Sequence, residues 1–343
     1  MSDVHIQELA DRYPGLWLHD PDGPAESLIR RGELLARRSD LARVESALRR
    51  WIDRVEVRGP AVMSLRPDAD PVRIASDHPG LPVSVNHVHT VMVGSPILHG
   101  TGATPVPVPL PPAPPVEVWD EPVTVLILDT GVDPHPWFVD RHWFGEWGPR
   151  QEILDLDGDG VADQQAGHGT FVTGVLLQHA PGATLRHHRV LTSHGLTDDR
   201  AVAAALRRTR EHGERIDVVV MTFGCHTLDD KCPPVLADEL DRSDCVFVAA
   251  AGNTATSRPF WPAAHPKVVA VGATGPDGGP APFSGRGAWV DTTAPGVDIV
   301  SAHVRLTPTS REYGAARWSG TSFAAPQVAA ALATEIHRGR RSR

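Results

Sequence analysis

The stretch Val123-Thr-Val-Leu-Ile-Leu-Asp-Thr-Gly131 is an apolar run that ends in an acid and a glycine. A short apolar run of strand length, without polar alternation, predicts a strand covered on both faces. Similar runs recur downstream at Leu185 to Val190, Asp217 to Thr222, Cys245 to Ala250 and Val268 to Val271. Between and after them lie helical patterns at Thr170 to Gln178, Asp198 to His212 and Ser322 to His337. Buried strands alternating with helices predict an α/β fold: a parallel sheet with helices on both faces. In such sheets, reactive groups collect where strands end and helices begin.

Upstream of this region the pattern changes. Seven prolines fall between Pro105 and Pro115. Such a segment forms neither a helix nor an interior strand and is expected to run extended, as polyproline II. It divides the chain into an N-terminal domain (1–100), a Pro-rich linker (101–115) and a C-terminal domain (116–343). In the first of these, Leu28, Leu34, Leu35, Leu41, Val44, Leu48 and Ile52 recur at mostly helical spacings, which predicts helix across Glu26 to Ile52. Strand-like runs follow at Val55 to Val57, Ala61 to Leu65 and Val83 to Val93. This reads as a small α+β domain. His87 and His89 lie two apart on the last run, which is metal-compatible spacing. With no acid or cysteine nearby in sequence, they read as ordinary strand positions.

Composition removes several function classes. Of 343 residues, 41% are apolar and 22% charged, enough for a packed core and against disorder of the whole chain. The net charge is −9, and both halves are acidic, so a nucleic-acid partner is not expected. The sequence has no apolar run of about 18 residues, so a membrane partner is not expected either. Met1 to Asp11 is polar and acidic, unlike a secretory leader. The three cysteines, Cys225, Cys232 and Cys245, form no disulfide framework, though one bridge such as Cys225 to Cys232 stays open. These features favour a cytoplasmic setting.

Four segments at strand ends or helix starts carry chemistry. Asp129 ends a buried strand, and His168 stands between two glycines at a helix start. Asn253 follows the run ending in Ala250-Ala251-Gly252, and Ser322 lies just inside the last helix. Singly, each has a plain structural reading as a turn, loop or cap residue. Together they supply what acyl transfer needs: a nucleophilic hydroxyl, a base, an acid that orients the base, and a donor for the oxyanion.

These segments resemble the motifs of the subtilisin (subtilase) family of serine proteases. They are ILDTGVD around Asp129, GHGTFVTG around His168, AAAGN at Asn253 and SGTSFAAPQVA around Ser322. Their order, Asp then His then Ser, is subtilisin's own. The resemblance covers Val116 to the C-terminus. It implies a serine endopeptidase acting on polypeptides without a required cofactor, with Ser322 as nucleophile, His168 as general base, Asp129 as its orienting acid and Asn253 in the oxyanion hole. It also implies that Thr222, Phe223 and Gly224 pair with substrate backbone, that Ala249, Ala250 and Ala251 form the opposite wall of the primary pocket, and that Phe260 lies at its base. The chain departs from the family at Phe171, where a second histidine is usual, and at Gln327, where His usually follows Ala-Ala-Pro.

The resemblance further implies that the N-terminal domain is prodomain-like and acts as an intramolecular inhibitor; a substrate-recruiting module is the competing reading, and a separate N-terminal domain with a cytoplasmic setting favours a restricted processing protease. A catalytically silent binding module is the alternative. Asp155, Asp157, Asp159 and Asp163, interleaved with glycines, match the start of a calcium loop and make a structural calcium a candidate cofactor. The Glu expected twelve residues from the first Asp is absent, because position 166 is Ala.

Overall fold

The computed structural model describes residues 12–13, 15–57, 59–91, 104–145, 151–211 and 213–342. The stretch Met1 to Asp11, the last two residues of the Val83 to Val93 run and the first three of the Pro-rich linker lie outside the described residues.

The N-terminal part forms an antiparallel sheet with two helices. Its elements are β1 (Leu16–His19), β2 (Ser27–Ala36), α1 (Leu41–Leu48), β3 (Ile52–Val57), β4 (Ala61–Leu65), α2 (Pro71–Asp77) and β5 (Val83–Thr90). The helix expected across Glu26 to Ile52 is therefore half wrong, because its first half is β2. The apolar pairs Leu28/Ile29 and Leu34/Leu35 cover both faces of a central strand. A register shift between Arg30 and Leu34, with Gly32 at φ +71°, carries the strand past a bulge that mimics helical spacing. One face of the sheet closes over Ile29, Leu34, Val44, Leu48, Met63 and Ile74.

The C-terminal part is built on β7 (Thr124–Asp129), β8 (Thr184–Arg189), β10 (Val218–Met221), β11 (Val246–Ala250), β12 (Val268–Thr274) and β13 (Thr292–Pro295). They lie in the order β13-β12-β11-β10-β7-β8, and every pair is parallel. The expected fold class is present. Helices α3 (His168–His179) and α6 (Thr321–Arg341) cover the face that receives Val125 and Ile127. Helices α4 (Asp199–Glu211) and α5 (Pro234–Asp241) cover the face that receives Leu126 and Leu128. The period-2 alternation of β7 thus feeds two separate cores. The chain leaves β7 toward β8 on one side and returns to β10 on the other, so the carboxyl ends of β7 and β10 flank a topological switch point.

The two parts share structure. The short strand β9 (Leu196–Asp198), from the C-terminal part, pairs with β5 and extends the N-terminal sheet. Leu35 and Val62, on that sheet's other face, join the cluster that holds Val202, Leu206, Val235 and Leu236 of α4 and α5. Within the Pro-rich segment, β6 (Val106–Val108) adds to the edge of an antiparallel pair, β14 (Ile299–Leu306) and β15 (Arg311–Trp318). Proline is tolerated there because an edge strand leaves one row of N–H groups unused. The Arg141 guanidinium then takes the carbonyls of Pro114 (2.5 Å) and Pro115 (2.7 Å).

Candidate active site

Asp129, the last residue of β7, and His168, the first of α3, meet with Nδ1 at 2.8 Å from Oδ1 and 3.1 Å from Oδ2. Gly169 allows this approach, since a Cβ there would lie 2.1 Å from the carbonyl oxygen of Gly131. Phe323 and Trp318 pack against the histidine ring with centroids 5.3 and 5.4 Å away. Asp129 also accepts from the Thr130 N–H at 2.7 Å and from the Thr222 hydroxyl. Burial by itself would raise the Asp129 carboxyl, but the His168 ring and these hydrogen bonds outweigh it and hold the group below its ordinary range.

Ser322 is the second residue of α6, where backbone N–H groups are still unclaimed by the helix. Its hydroxyl donates to the Thr222 carbonyl at 2.9 Å rather than to the His168 ring. Asn253 follows β11, and its Oδ1 accepts from Thr321 N–H and from Thr321 Oγ1, both at 2.9 Å. Those two bonds fix the amide so that its NH2 end is the free donor beside the start of α6. Asp129, His168, Asn253 and Ser322 all lie at the carboxyl ends of sheet strands or at the helix starts beside them.

The expected pocket residues gather around the same point. Thr222, Phe223 and Gly224 continue from β10, and Ala249 and Ala250 end β11, with Ala251 directly after it. Phe260 is buried with its ring pressed on Gly224 and Gly252, where added Cβ atoms would stand 2.4 and 2.9 Å from ring carbons. The Phe223 side chain points away, into the core shared with α4 and α5. The edge at Gly224 is already paired. Thr90 of β5 donates to the Gly224 carbonyl at 2.8 Å, and Gly224 donates back at 3.2 Å. Val91 N–H reaches the Gly195 carbonyl at 3.2 Å, so the end of β5 lies between two segments of the C-terminal part.

The two family departures fill space. Phe171 is fully buried against Trp318 and Phe323. Gln327 donates its amide to the carbonyls of Pro295 and Phe323.

Residues 120–338 match the subtilase family. The chain belongs to the subtilase family of serine endopeptidases. It is 31% identical over 229 residues to a thermophilic serine proteinase of Bacillus sp. (strain AK1), covering 63% of this chain and 52% of that protein. It is 30% identical over 220 residues to Subtilisin BL of Lederbergia lenta, covering 62% and 75%. Against Subtilisin E of Bacillus subtilis (strain 168), identity is 28% over 291 residues, 80% of this chain and 67% of that one. The subtilase chain thus spans about half the length of the first relative and three quarters of the second.

Sequence reasoning missed Glu152, a lone acid in an unremarked loop. Its carboxylate is buried, with Oε1 accepting from Thr170 N–H at 2.6 Å and Oε2 from Gly167 N–H at 2.7 Å. It therefore holds the first turn of the helix that carries His168. Thr130 Oγ1 lies 3.0 Å from Glu152 Oε2 and 3.2 Å from Asp129 Oδ1, joining the two acids. Burial, with the Asp133 and Asp129 charges nearby, pushes Glu152 up to about 8 against the bonds from Thr170. A protonated Glu152 fits this geometry: it donates to Thr130 Oγ1, which then donates to Asp129.

The acidic loop is partly assembled. Asp155, Asp157 and Asp159 bring carboxylate oxygens within 4.8 Å of one another. Asp163 is not part of that group: it accepts from Leu156 N–H (2.8 Å) and Ser193 Oγ (2.5 Å) and pairs with His194 (3.2 Å).

His87 and His89 are positions of strand β5, as expected, but Asp199 and Cys225, remote in sequence, converge on them in the seam between the two parts. The pairing of β5 with β9 and of Thr90 with Gly224 brings these residues together, so no local pattern could have revealed them. All three cysteines are free thiols. No helix among the described residues is long and apolar enough to cross a membrane.

Proposed function

We propose that this subtilase cleaves peptide bonds through an acyl-enzyme, as a restricted processing protease whose N-terminal sheet holds the cleft closed. The observation that carries the chemistry is the buried His168–Asp129 pair beside Ser322 and the Asn253 amide. His168 Nδ1–H is held by Asp129, which leaves Nε2 as the basic nitrogen. The Ser322 hydroxyl now bonds the Thr222 carbonyl. That carbonyl lies two residues before Gly224 on the same edge, so an incoming backbone N–H takes it over and frees the hydroxyl to turn toward His168. Ser322 Oγ attacks the carbonyl carbon, and Nε2 takes its proton. The oxyanion is received by Asn253 Nδ2–H and Ser322 N–H. Nε2–H then protonates the leaving amine, and a water molecule releases the acyl group by the same steps.

The pairing of Thr90 with Gly224 supports the inhibitory reading, because β5 uses the backbone groups a substrate strand would use. In an antiparallel substrate strand, the residue two beyond the one on Gly224 would fall opposite Thr222, beside Ser322. The pocket walls of Ala249 to Ala251 and Thr222 to Gly224, with the Phe260 ring at the base, carry no charge and suit a small or medium apolar residue before the cut. Asp155, Asp157 and Asp159 would supply oxygen ligands to a structural calcium, with Asp163 committed elsewhere. The test is intact mass and fluorophosphonate labelling of the full chain beside Ser322→Ala. Wild type should label and cut itself two residues beyond Thr90, and the variant should do neither. A folded wild-type chain that neither labels nor turns over peptides would instead make it a binding module.

A further inference from the structure

The seam between the two parts holds a buried group that the peptidase reading does not use. Asp199 opens α4, His87 and His89 come from β5, and Cys225 follows the Gly224 edge. His87 gives Asp199 Oδ2 two hydrogen bonds, from N–H at 2.9 Å and from Nδ1 at 2.8 Å. His89 Nε2 lies 2.7 Å from Asp199 Oδ1 and 3.7 Å from Cys225 Sγ. Relative exposures of His89, Asp199 and Cys225 are 0, 0 and 3%. His87 Nε2 and His89 Nδ1, both buried, have no partner. A carboxylate this deep requires compensating positive charge.

We infer that His89 Nε2, Asp199 Oδ1 and Cys225 Sγ are ligands of a borderline-soft divalent cation, zinc by its donor set, which clasps the N-terminal sheet to the peptidase part. The three atoms lie within 4.8 Å of one another. Tetrahedral zinc, with bonds of about 2.05 Å to nitrogen, 2.1 Å to oxygen and 2.3 Å to sulfur, separates N and S by about 3.6 Å and N and O by about 3.4 Å. The His89–Cys225 distance already fits. The His89–Asp199 distance opens by about 0.7 Å when the ion replaces the hydrogen between them.

Mixed N, O and S donors exclude calcium and magnesium, which take oxygen alone. His87 holds the other Asp199 oxygen, the outer support that orients a ligating carboxylate. On binding, the Cys225 thiol proton leaves to solvent, and the His89 ring proton moves from Nε2, which takes the ion, to Nδ1; nothing is oxidised or reduced. The ring of His89 meets Phe223 edge-on at 5.8 Å, so the site adjoins the substrate edge without including it. This inference stands whether or not the triad is active.

The test is zinc and cobalt titration of the metal-stripped full chain. Wild type should bind one equivalent of zinc tightly and, with cobalt, show a thiolate-to-metal charge-transfer band together with the visible bands of tetrahedral cobalt. Cys225→Ser and His89→Gln should weaken zinc by about 100-fold or more and abolish the thiolate band. Asp155→Asn with Asp157→Asn should change neither, nor should Cys232→Ser with Cys245→Ser. Absence of the thiolate band in wild type overturns the site without needing any variant. Its loss in the Cys232/Cys245 pair, or unchanged zinc affinity in a folded Cys225→Ser, overturns it as well.

Discussion

Two buried aspartates each face histidine in this molecule, and their surroundings assign them different work. Asp129 holds one ring, His168, with hydrogen bonds from Thr130 and Thr222 completing its shell. With Nδ1 held by Asp129, the other ring nitrogen is left to exchange a proton. Asp199 holds two rings, His87 and His89, and its site closes on all sides with a thiol beside it. Both carboxyls are held below their ordinary value: burial opposes ionisation, and the histidines outweigh it. The lesson is that an Asp–His contact does not define a triad. The groups around it, and whether the far nitrogen meets a reactant, decide between catalysis and a clasp.

The largest expected effect falls on the first pair alone. His168→Ala should lower kcat by roughly 10⁴–10⁶-fold, and adding Ser322→Ala should cost little more, because the two act as a unit. Steady-state kinetics of the single and double variants check this, and additive losses would break the contrast with Asp199. Next in size is Asn253→Ala. Loss of the equivalent donor in subtilisin costs about 10²–10³-fold in kcat, and a similar loss with KM little changed is expected here.

Glu152 sharpens the comparison through pH. Its folded value of about 8 exceeds its ordinary 4.5, so the native chain keeps a proton that the unfolded chain releases. Stability from this group is full below about pH 4.5 and is lost as pH rises through 8, on the order of a few kcal/mol. Denaturant midpoints of wild type and Glu152→Gln should lie close together near pH 4.5 and separate toward pH 8, with wild type the less stable; parallel pH curves would break the assignment. Asp199 has the opposite sign. Its folded value of about 2 lies below 3.8, so its contribution is present above pH 3.8 and fades as pH falls toward 2. In metal-free protein, Asp199→Asn should cost about 2 kcal/mol at pH 7, read as a lowered denaturation midpoint, with the gap closing near pH 2.

The sequence by itself determined the parallel α/β sheet and the four groups of the candidate active site. Both are written locally: apolar runs mark buried strands, and Asp129, His168, Asn253 and Ser322 each stand at a strand end or helix start that the run beside them defines. Tertiary structure alone decided the rest. Ser27–Ala36 became a strand because both its faces are covered, which no helical spacing count could register. The Pro-rich segment gained a strand because β15 offered an edge to it. Glu152 matters through two amides of another element, and His89 through an acid 110 residues away and a thiol 136 residues away. Periodicity and motif report what a residue does within its own element. A partner brought by a crossover, or by a sheet shared between two domains, leaves no local trace, since the pairing that creates it exists only once the chain has folded.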